Sequence, residues 1–327
     1  MKKNIAIVAG GDSSECVVSL KSADGIAPFI DKEKYNAYIA LVNRREWVVL
    51  LPDGKRAPID KNDFSFVEKG VVRRFDFVYI TIHGTPGEDG LLQGYFDMIG
   101  MPYSSCGALV SALTFSKYVC NHYLHDFGIR IADSIHLFRG ETVTEEEVVS
   151  RLGLPVFVKP NDGGSSFGIT KVKKASAIQS AIAKAFEEGR EVLLERFVAG
   201  TEVTSGCYKV NGKEVLFPLT EVVTTNEFFD YDAKYNGQVE EITPARLSDE
   251  LTEKIERMTS RIYDILGAKG LIRVDYIIPE DGEPVMLEVN TTPGMTATSF
   301  IPQQVRAAGL DMKEVLTDII EGELANR

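Results

Sequence analysis

The stretch "IRVDYIIPEDGEPVMLEVN", residues 272 to 290, constrains this chain more than any other. Two apolar-rich runs flank Asp281-Gly282, a strong hairpin signal. A two-residue turn centred there pairs Asp275 with Glu288 and Arg273 with Asn290. Side chains two apart share a face of a strand, so all four point the same way. Like charges set directly opposite one another destabilise a sheet. A bound cation would turn that repulsion into coordination. Asp275, Glu288 and Asn290 offer only hard oxygen ligands, which suit magnesium or manganese better than zinc. Glu288 is central and suited to bridging two ions, as carboxylates do in two-metal sites. Arg273 sits beside them, ready for a phosphate or an oxyanion. Taken alone, a solvated outer sheet face explains the stretch equally well, and Pro279 permits a longer loop that would upset the register.

A chain of 327 residues accommodates two or three domains, each able to bury a core. Its net charge of -12 argues against non-specific binding to nucleic acid or to an anionic membrane. No uninterrupted apolar run is long enough to span a bilayer. The opening "MKKNIAIVAGG" has too short an apolar stretch for a signal peptide and reads as a first buried strand. Cys16, Cys106, Cys120 and Cys207 have no paired spacing, so they read as reduced thiols in a cytoplasmic protein.

The periodicity is that of an α/β protein. "NIAIVA", "GGDSSE" and a helix from about Ser14 form a strand, a glycine turn and a helix start. Further strands are predicted at "YNAYIALV", "FDFVYITI", "LPVFVKP" and "EVLLERF", and near 202–208 and 215–219. The segment "GALVSALTFSKYVCNHYLHDFG" predicts one helix. Its apolar face carries Leu109, Ala112, Leu113, Ser116, Cys120, Tyr123, Leu124 and Phe127, and Gly128 stops it. A long helix is predicted near 248–266. Boundaries near 103–107 and 196–201 give three domains: 1–105, 106–196 and 197–327.

Other stretches carry chemistry only in company. In "VFVKPNDGGSSFGITKV", Lys159 ends a strand and the following loop is rich in backbone amides that can cover phosphates. It lacks the Gly-Lys-Ser/Thr ending of a Walker A loop, and a plain hairpin loop is the bland alternative. In "EVLLERFVAGTEVT", Glu195 and Glu202 flank a turn and are able to accept from an adenine amino group or a ribose hydroxyl. Exposed acids beside a turn fit that stretch too. "GGDSSE" and "IHGTPGEDG" follow strands where α/β domains place ligands, offering Glu15 for an ammonium and His83 for a hydrogen bond or proton. "GGDSSECVVSL" is not G-x-G-x-x-G, which argues against a nicotinamide enzyme. Lys234 and Tyr235 lie in a long irregular segment of the kind that forms lids. "EVNTTPGMTATSF" leaves the carboxylate strand through Pro293-Gly294 and reaches Ser299, with amides suited to an oxyanion.

In order and spacing, "GGDSSE", "HGTPGEDGLLQG", "VFVKPNDGGSSFG", "VLLERFVAGTE", "YDAKY", "RVDY" and "LEVNTTPGMTATS" resemble the ATP-grasp superfamily, and within it the D-alanine–D-alanine ligases. The resemblance runs over most of the chain. It implies a three-domain ATP-grasp architecture with an N-terminal Rossmann-like domain and ATP between the central and C-terminal domains. It implies that Lys117 and Lys159 bind ATP phosphates under a loop containing Ser165 and Ser166. Glu195, and mainly by backbone Arg196 and Val198, then contact adenine. Phe157 and Leu287 belong to the same nucleotide site, and Glu202 holds the ribose. Asp275 and Glu288 take one magnesium, and Glu288 and Asn290 the other, with manganese as the substitute. Glu15 holds the ammonium of the first D-alanine near His83, linked to Ser165 and Tyr235. Arg273 and the Gly294 amide face the tetrahedral oxyanion. Lys234 and Ser299 receive the second D-alanine beside Phe300.

The resemblance also implies a cell-wall role and a homodimer. The chain departs from the family pattern at Val17, Ser116, Gly163 and Phe300, the last bearing on the size of the second subsite. Lys234-Tyr235 favours D-alanine there over D-lactate, and D-serine stays open. A nucleotide-binding regulator without turnover is the alternative from another class.

Overall fold

The computed structural model describes residues 2–163, 168–224 and 239–325. Strand β1 (Lys3–Gly10) lies between β2 (Tyr35–Val42) and β7 (Phe77–Ile80), parallel to both. Its continuous apolar run is what a strand covered on both faces requires. The chain leaves β1 through Gly10 at φ 111°, where a Cβ would lie 2.9 Å from the Val42 carbonyl, so only glycine fits. Helix α1 (Cys16–Ile26) follows. The sequence pattern missed four short strands, β3 (Trp47–Leu50), β4 (Arg56–Asp60), β5 (Ser65–Glu68) and β6 (Val71–Arg73), which extend the sheet as an antiparallel meander. Runs of three to five residues give too few positions for alternation to declare itself.

After α2 (Leu91–Met98), the single helix expected over 107–128 is two: α3 (Ala108–Phe115) and α4 (Lys117–His125). Ser116 is extended between them, and its hydroxyl accepts the Val119 N–H as an N-cap. The break rotates the apolar face. Cys120 and Leu124 are buried, whereas Leu109, Tyr123 and Phe127 are exposed. It also puts Lys117 at the first position of a helix.

The second sheet contains β8 (Ser134–Phe138), β9 (Val156–Pro160), β10 (Thr170–Val172) and β11 (Glu191–Arg196), in the order β10-β9-β11-β8. Helices α5 (Glu145–Leu152) and α6 (Ile178–Glu188) bury Val148, Leu152, Ile178 and Ala185 against Val158, Val192 and Leu194 of its strands. The third sheet is built on β12 (Thr201–Val210), β14 (Thr220–Thr224), β15 (Val239–Ile242), β16 (Ile272–Ile278) and β17 (Val285–Asn290), with β13 (Lys213–Leu216) beside β12. The strand expected at 215–219 straddles the gap between β13 and β14. Helix α7 (Asp249–Leu266) buries Ile255 and Ile262 with Val274 and Tyr276. Helix α8 (Phe300–Ala307) follows, and α9 (Met312–Ala325) places Leu316 and Ile319 in one core with Ile5 and Ile7 of the first sheet and Tyr208 of the third.

The β16–β17 hairpin pairs Arg273 with Asn290 and Asp275 with Glu288, as its sequence requires. Its turn is not centred on Asp281-Gly282. The strands stop at Ile278 and Val285, and Gly282 N–H donates to Pro279 O, closing a turn one residue earlier. The register shifts between Asp275 and Tyr276, so Tyr276 pairs with Met286 and Leu287 is the extra, bulged residue.

Candidate active site

Asp275 and Glu288 project from the last two strands of the third sheet, β16 and β17, and opposite charge gathers around them. Arg273 donates from Nε and Nη2 to the two Asp275 carboxylate oxygens, both at 2.8 Å. Lys117 Nζ lies 3.2 Å from Glu288 Oε2, and Arg273 Nη2 lies 3.9 Å from Glu288 Oε1. Asn290 Nδ2 donates to Glu288 Oε1 at 3.2 Å and to Asp275 Oδ2 at 3.4 Å. Burial alone would raise the Glu288 pKa. Lys117, Arg273 and Lys159 outweigh it and hold the carboxyl well below the usual carboxylate range. Burial likewise opposes the charge on Lys117, but Glu288, Glu88 and Glu15 raise its pKa. For Arg273, Asp275 and Glu288 win over the same burial and lift its pKa. Glu288, Lys117 and Arg273 are therefore ionised at neutral pH.

The bulge decides what this face presents. Strict alternation back from Glu288 would turn Met286 toward the carboxylates and Leu287 into the core. With Leu287 bulged, Met286 packs in the core beside Tyr276, and Leu287 and Glu288 both line a cleft of about 1050 Å³. Phe157, Lys117, Lys159, Glu195, Arg196, Val198, Glu202 and Asp275 line the same cleft. The expected nucleotide residues among those described thus come together from five elements, α4, β9, β11, β12 and β17, and a loop. Lys159 and Glu195 are diagonal neighbours on β9 and β11, and their side chains form a buried ion pair at 2.8 Å. The Lys159 ammonium, implied to meet phosphate, is here held by the acid implied to meet adenine. The Arg196 guanidinium reaches out to Asp133 at 2.9 Å and to Arg151 O at 2.8 Å, and its backbone N–H donates to Asp133 O at 2.9 Å.

A smaller pocket of about 420 Å³ adjoins the cleft. Glu15, Lys117, Arg273, Glu288 and Phe300 line both. His83, Asn290, Gly294 and Ser299 complete the small pocket. Glu15 is the N-cap residue of α1 and is buried. His83 Nε2 sits 3.3 Å from Ser22 Oγ, which accepts the Met295 N–H, and Nδ1 lies 3.8 Å from Glu88. Helix α1, the loop after β7 that carries His83, and the loop before α8 are thus tied at one point. A Cβ on Gly294 would come within 3.0 Å of Ser299 Oγ, so the small residue keeps that corner open. The Arg273 guanidinium lies over the Phe300 ring, 5.2 Å from its centroid. Ser165, Ser166, Lys234 and Tyr235 lie outside the described residues.

Sequence reasoning passed over two groups, half-buried Glu88 and buried Asn161. Glu88 accepts the Gly84 N–H at 2.6 Å and faces His83, and its position in "HGTPGEDG" was the available signal. Asn161, 1% exposed, carries a cluster of hydrogen bonds that no local pattern announces.

A family model described as the D-ala D-ala ligase N-terminus matches residues 4–106, and one described as the D-ala D-ala ligase C-terminus matches residues 123–321. A D-alanine–D-alanine ligase of Parabacteroides distasonis is 82% identical over 327 residues, covering 100% of this chain and 99% of that protein. Among solved structures, the VanG D-Ala:D-Ser ligase from Enterococcus faecalis superposes with a TM-score of 0.86 at 31% identity, covering 98% of this chain and 99% of that one. The D-alanine–D-alanine ligase from Bacillus anthracis complexed with ATP gives 0.78 at 30% identity, covering 99% and 98%. The fold is the mixed α/β ATP-grasp fold of these neighbours, and the chain belongs to the D-alanine–D-alanine ligase family.

Proposed function

We propose that the chain joins two D-alanines into D-alanyl-D-alanine at the expense of ATP, through a D-alanyl phosphate, and so supplies peptidoglycan precursors. The observation that carries this reading is the junction of the two cavities. A nucleotide-sized cleft and a pocket suited to small amino acids share Lys117, Arg273 and Glu288, so phosphoryl donor and carboxylate acceptor would meet over one charged cluster.

The hairpin fits magnesium or manganese. Its donors are all oxygens, two are carboxyl groups, and Asn290 lies within hydrogen-bond reach of both. Asp275 and Glu288 would hold one ion, and Glu288 and Asn290 a second. When bound, such ions offset the charge of the transferring phosphoryl group. Among the described residues no third carboxylate, histidine or cysteine completes the cluster. The remaining ligands would be phosphate and water oxygens, as is usual for magnesium.

The chain's own groups divide the work. Lys117 and Lys159 serve the phosphates, and Glu195, Val198, Phe157, Leu287 and Glu202 the nucleoside. Glu15 holds the ammonium of the first D-alanine beside His83. The carboxylate of that D-alanine attacks the γ-phosphate, whose bond to ADP breaks, giving an acyl phosphate and ADP. The second amine attacks the acyl carbon, and phosphate leaves. Arg273 spends two of its five N–H donors on Asp275, so others remain for the tetrahedral oxyanion, together with the Gly294 amide. Ser299 and Phe300 border the second subsite. The implied roles of Ser165, Ser166, Lys234 and Tyr235 belong to this proposal as well.

We take the working bodies to be 1–105, 106–196 and 197–327, each containing one of the three sheets, and the setting to be the cytoplasm, as a homodimer. No helix among the described residues is long and apolar enough to cross a membrane.

A D-serine acceptor has one observation in its favour, the likeness to the VanG ligase. ADP release with D-alanine, D-serine and D-lactate as acceptors beside D-alanine, with product analysis, separates the readings. D-alanine should give the most product near neutral pH. If it gives the least, the substrate assignment is wrong. If ADP release does not depend on D-alanine at all, the ligase reading fails.

A further inference from the structure

Asn161 holds the two phosphate lysines in one frame. The first four N–H groups of a helix have no partner within it. In α4 those of Lys117, Tyr118 and Val119 are satisfied from outside the backbone ladder, two by Asn161 and one by Ser116. Asn161 O accepts the Lys117 N–H at 3.1 Å, and Asn161 Oδ1 accepts the Tyr118 N–H at 2.8 Å. Ser116 Oγ and O accept from Val119 and Cys120. Asn161 Nδ2 then donates to Ser116 Oγ at 2.9 Å and to Glu191 Oε2 at 2.7 Å. Glu191 Oε2 also meets His136 Nε2 at 2.8 Å, and the His136 ring stacks on Tyr118 with centroids 4.5 Å apart. The contacts close a ring: Asn161, Tyr118, His136, Glu191 and back.

The position of this ring matters. Asn161 follows Lys159 by two residues and precedes Gly163 by two, and Gly163 O accepts from Lys117 Nζ at 2.6 Å. It caps the helix whose first residue is Lys117. We propose that Asn161 is a positioning residue for the reaction: its buried amide fixes the Lys117 ammonium relative to Lys159 and the phosphate side of the cleft, with Glu191 as its anchor. This rests on the reading of Lys117 and Lys159 as phosphate ligands. Only an amide meets the demand, one acceptor and two donors at a site 1% exposed. An aspartate would keep the acceptor, lose both donors and oppose Glu191.

The test compares Asn161→Asp, Asn161→Asp with Glu191→Gln, and wild type, by steady-state kinetics and by calorimetric titration of ADP with magnesium. Asn161→Asp should raise the KM for ATP and weaken ADP binding on the order of tenfold, as loss of about one buried hydrogen bond does. The KM for D-alanine should stay within about twofold. Adding Glu191→Gln supplies an amide donor to the new carboxylate and should recover most of the nucleotide affinity. A purely structural role predicts no such recovery and no split between the two substrates. Nucleotide affinity within about twofold of wild type in Asn161→Asp, or no recovery in the double variant, overturns the proposal. Should Asn161→Asp not fold, Glu191→Ala reads the same coupling through loss of the anchor, with about a threefold weakening expected and none overturning it. Failure of wild type to release ADP with D-alanine would defeat the functional reading instead, and the calorimetry would still judge the positioning.

Discussion

Replacing Glu288 by glutamine removes one charge and almost no volume. The carboxylate lies 3.2 Å from Lys117 and 3.9 Å from Arg273. At an effective dielectric near 20 those separations correspond to roughly 5 and 4 kcal/mol of attraction before desolvation. The side chain is 31% exposed, and burial works against its charge, so the net contribution to folding is a fraction of that. Both cations also keep another partner: Arg273 keeps Asp275, and Lys117 keeps Gly163 O. The fold should therefore lose only about 1–2 kcal/mol. Catalysis should lose more. The cluster goes from two anions and two cations to one anion and two cations, and a divalent ion forfeits twice the Coulomb energy that a single charge would. We expect kcat to fall on the order of a thousandfold, about 4 kcal/mol, with little restored by added magnesium. D-alanine-dependent ADP release across a magnesium titration, beside a thermal melt, measures both. Near-normal turnover at saturating magnesium would refute the bridging role. Lost turnover with an unfolded protein would refute the stability estimate.

Acid should expose the same group. Its folded pKa lies below the ordinary 4.5, so its contribution to stability is complete above that value and is lost as pH falls toward the folded one. Urea unfolding at falling pH should show the gap between wild type and Glu288→Gln closing below about pH 4.5. A constant gap would mean that the carboxylate is not stabilised by its neighbours. Burial pushes the Cys106, Cys120 and Cys207 thiols up to about 12, so a thiol reagent near pH 8 should label Cys16 first in the native protein and all four when denatured; early labelling of any other would contradict the packing. In Gly25→Ala the new Cβ would meet Met295 O at 2.5 Å and push α1 away from the loop that carries Gly294, at a cost of about 1–3 kcal/mol. The KM for D-alanine should rise while that for ATP holds, and a rise in the ATP value alone would refute the assignment of that pocket.

The residues that local patterns reveal are those whose neighbours in sequence share their task. Lys159 ends an apolar strand, Glu195 ends another, and Asp275 and Glu288 share a face because strands alternate. Residues whose partners are distant in sequence stay hidden. Asn161 looks like one polar residue in a loop, yet it acts on a helix more than forty positions earlier and an acid thirty later. Helix α4 shows the reverse failure. Its apolar spacing continues across Ser116, and only the capping hydroxyl, a local but weak signal, marks the break that sets Lys117 at a helix start.

The hairpin shows why a functional register survives an error in its turn. Asp281-Gly282 looked like the turn centre, but the turn closes between Pro279 and Gly282, and carried upward unbroken that register would set Asp275 against Leu287. The bulge restores the pairing of Asp275 with Glu288. What holds the bulge is the core on the other side: Met286 is fully buried beside Tyr276, and Val289 with Val274, which simple alternation from Val285 to Asn290 cannot provide. One extra residue resets the parity, so Met286 and Val289 face the core while Leu287, Glu288 and Asn290 face the cavities. Packing on the hidden face and charge on the open face therefore select the same offset, and neither depends on the turn.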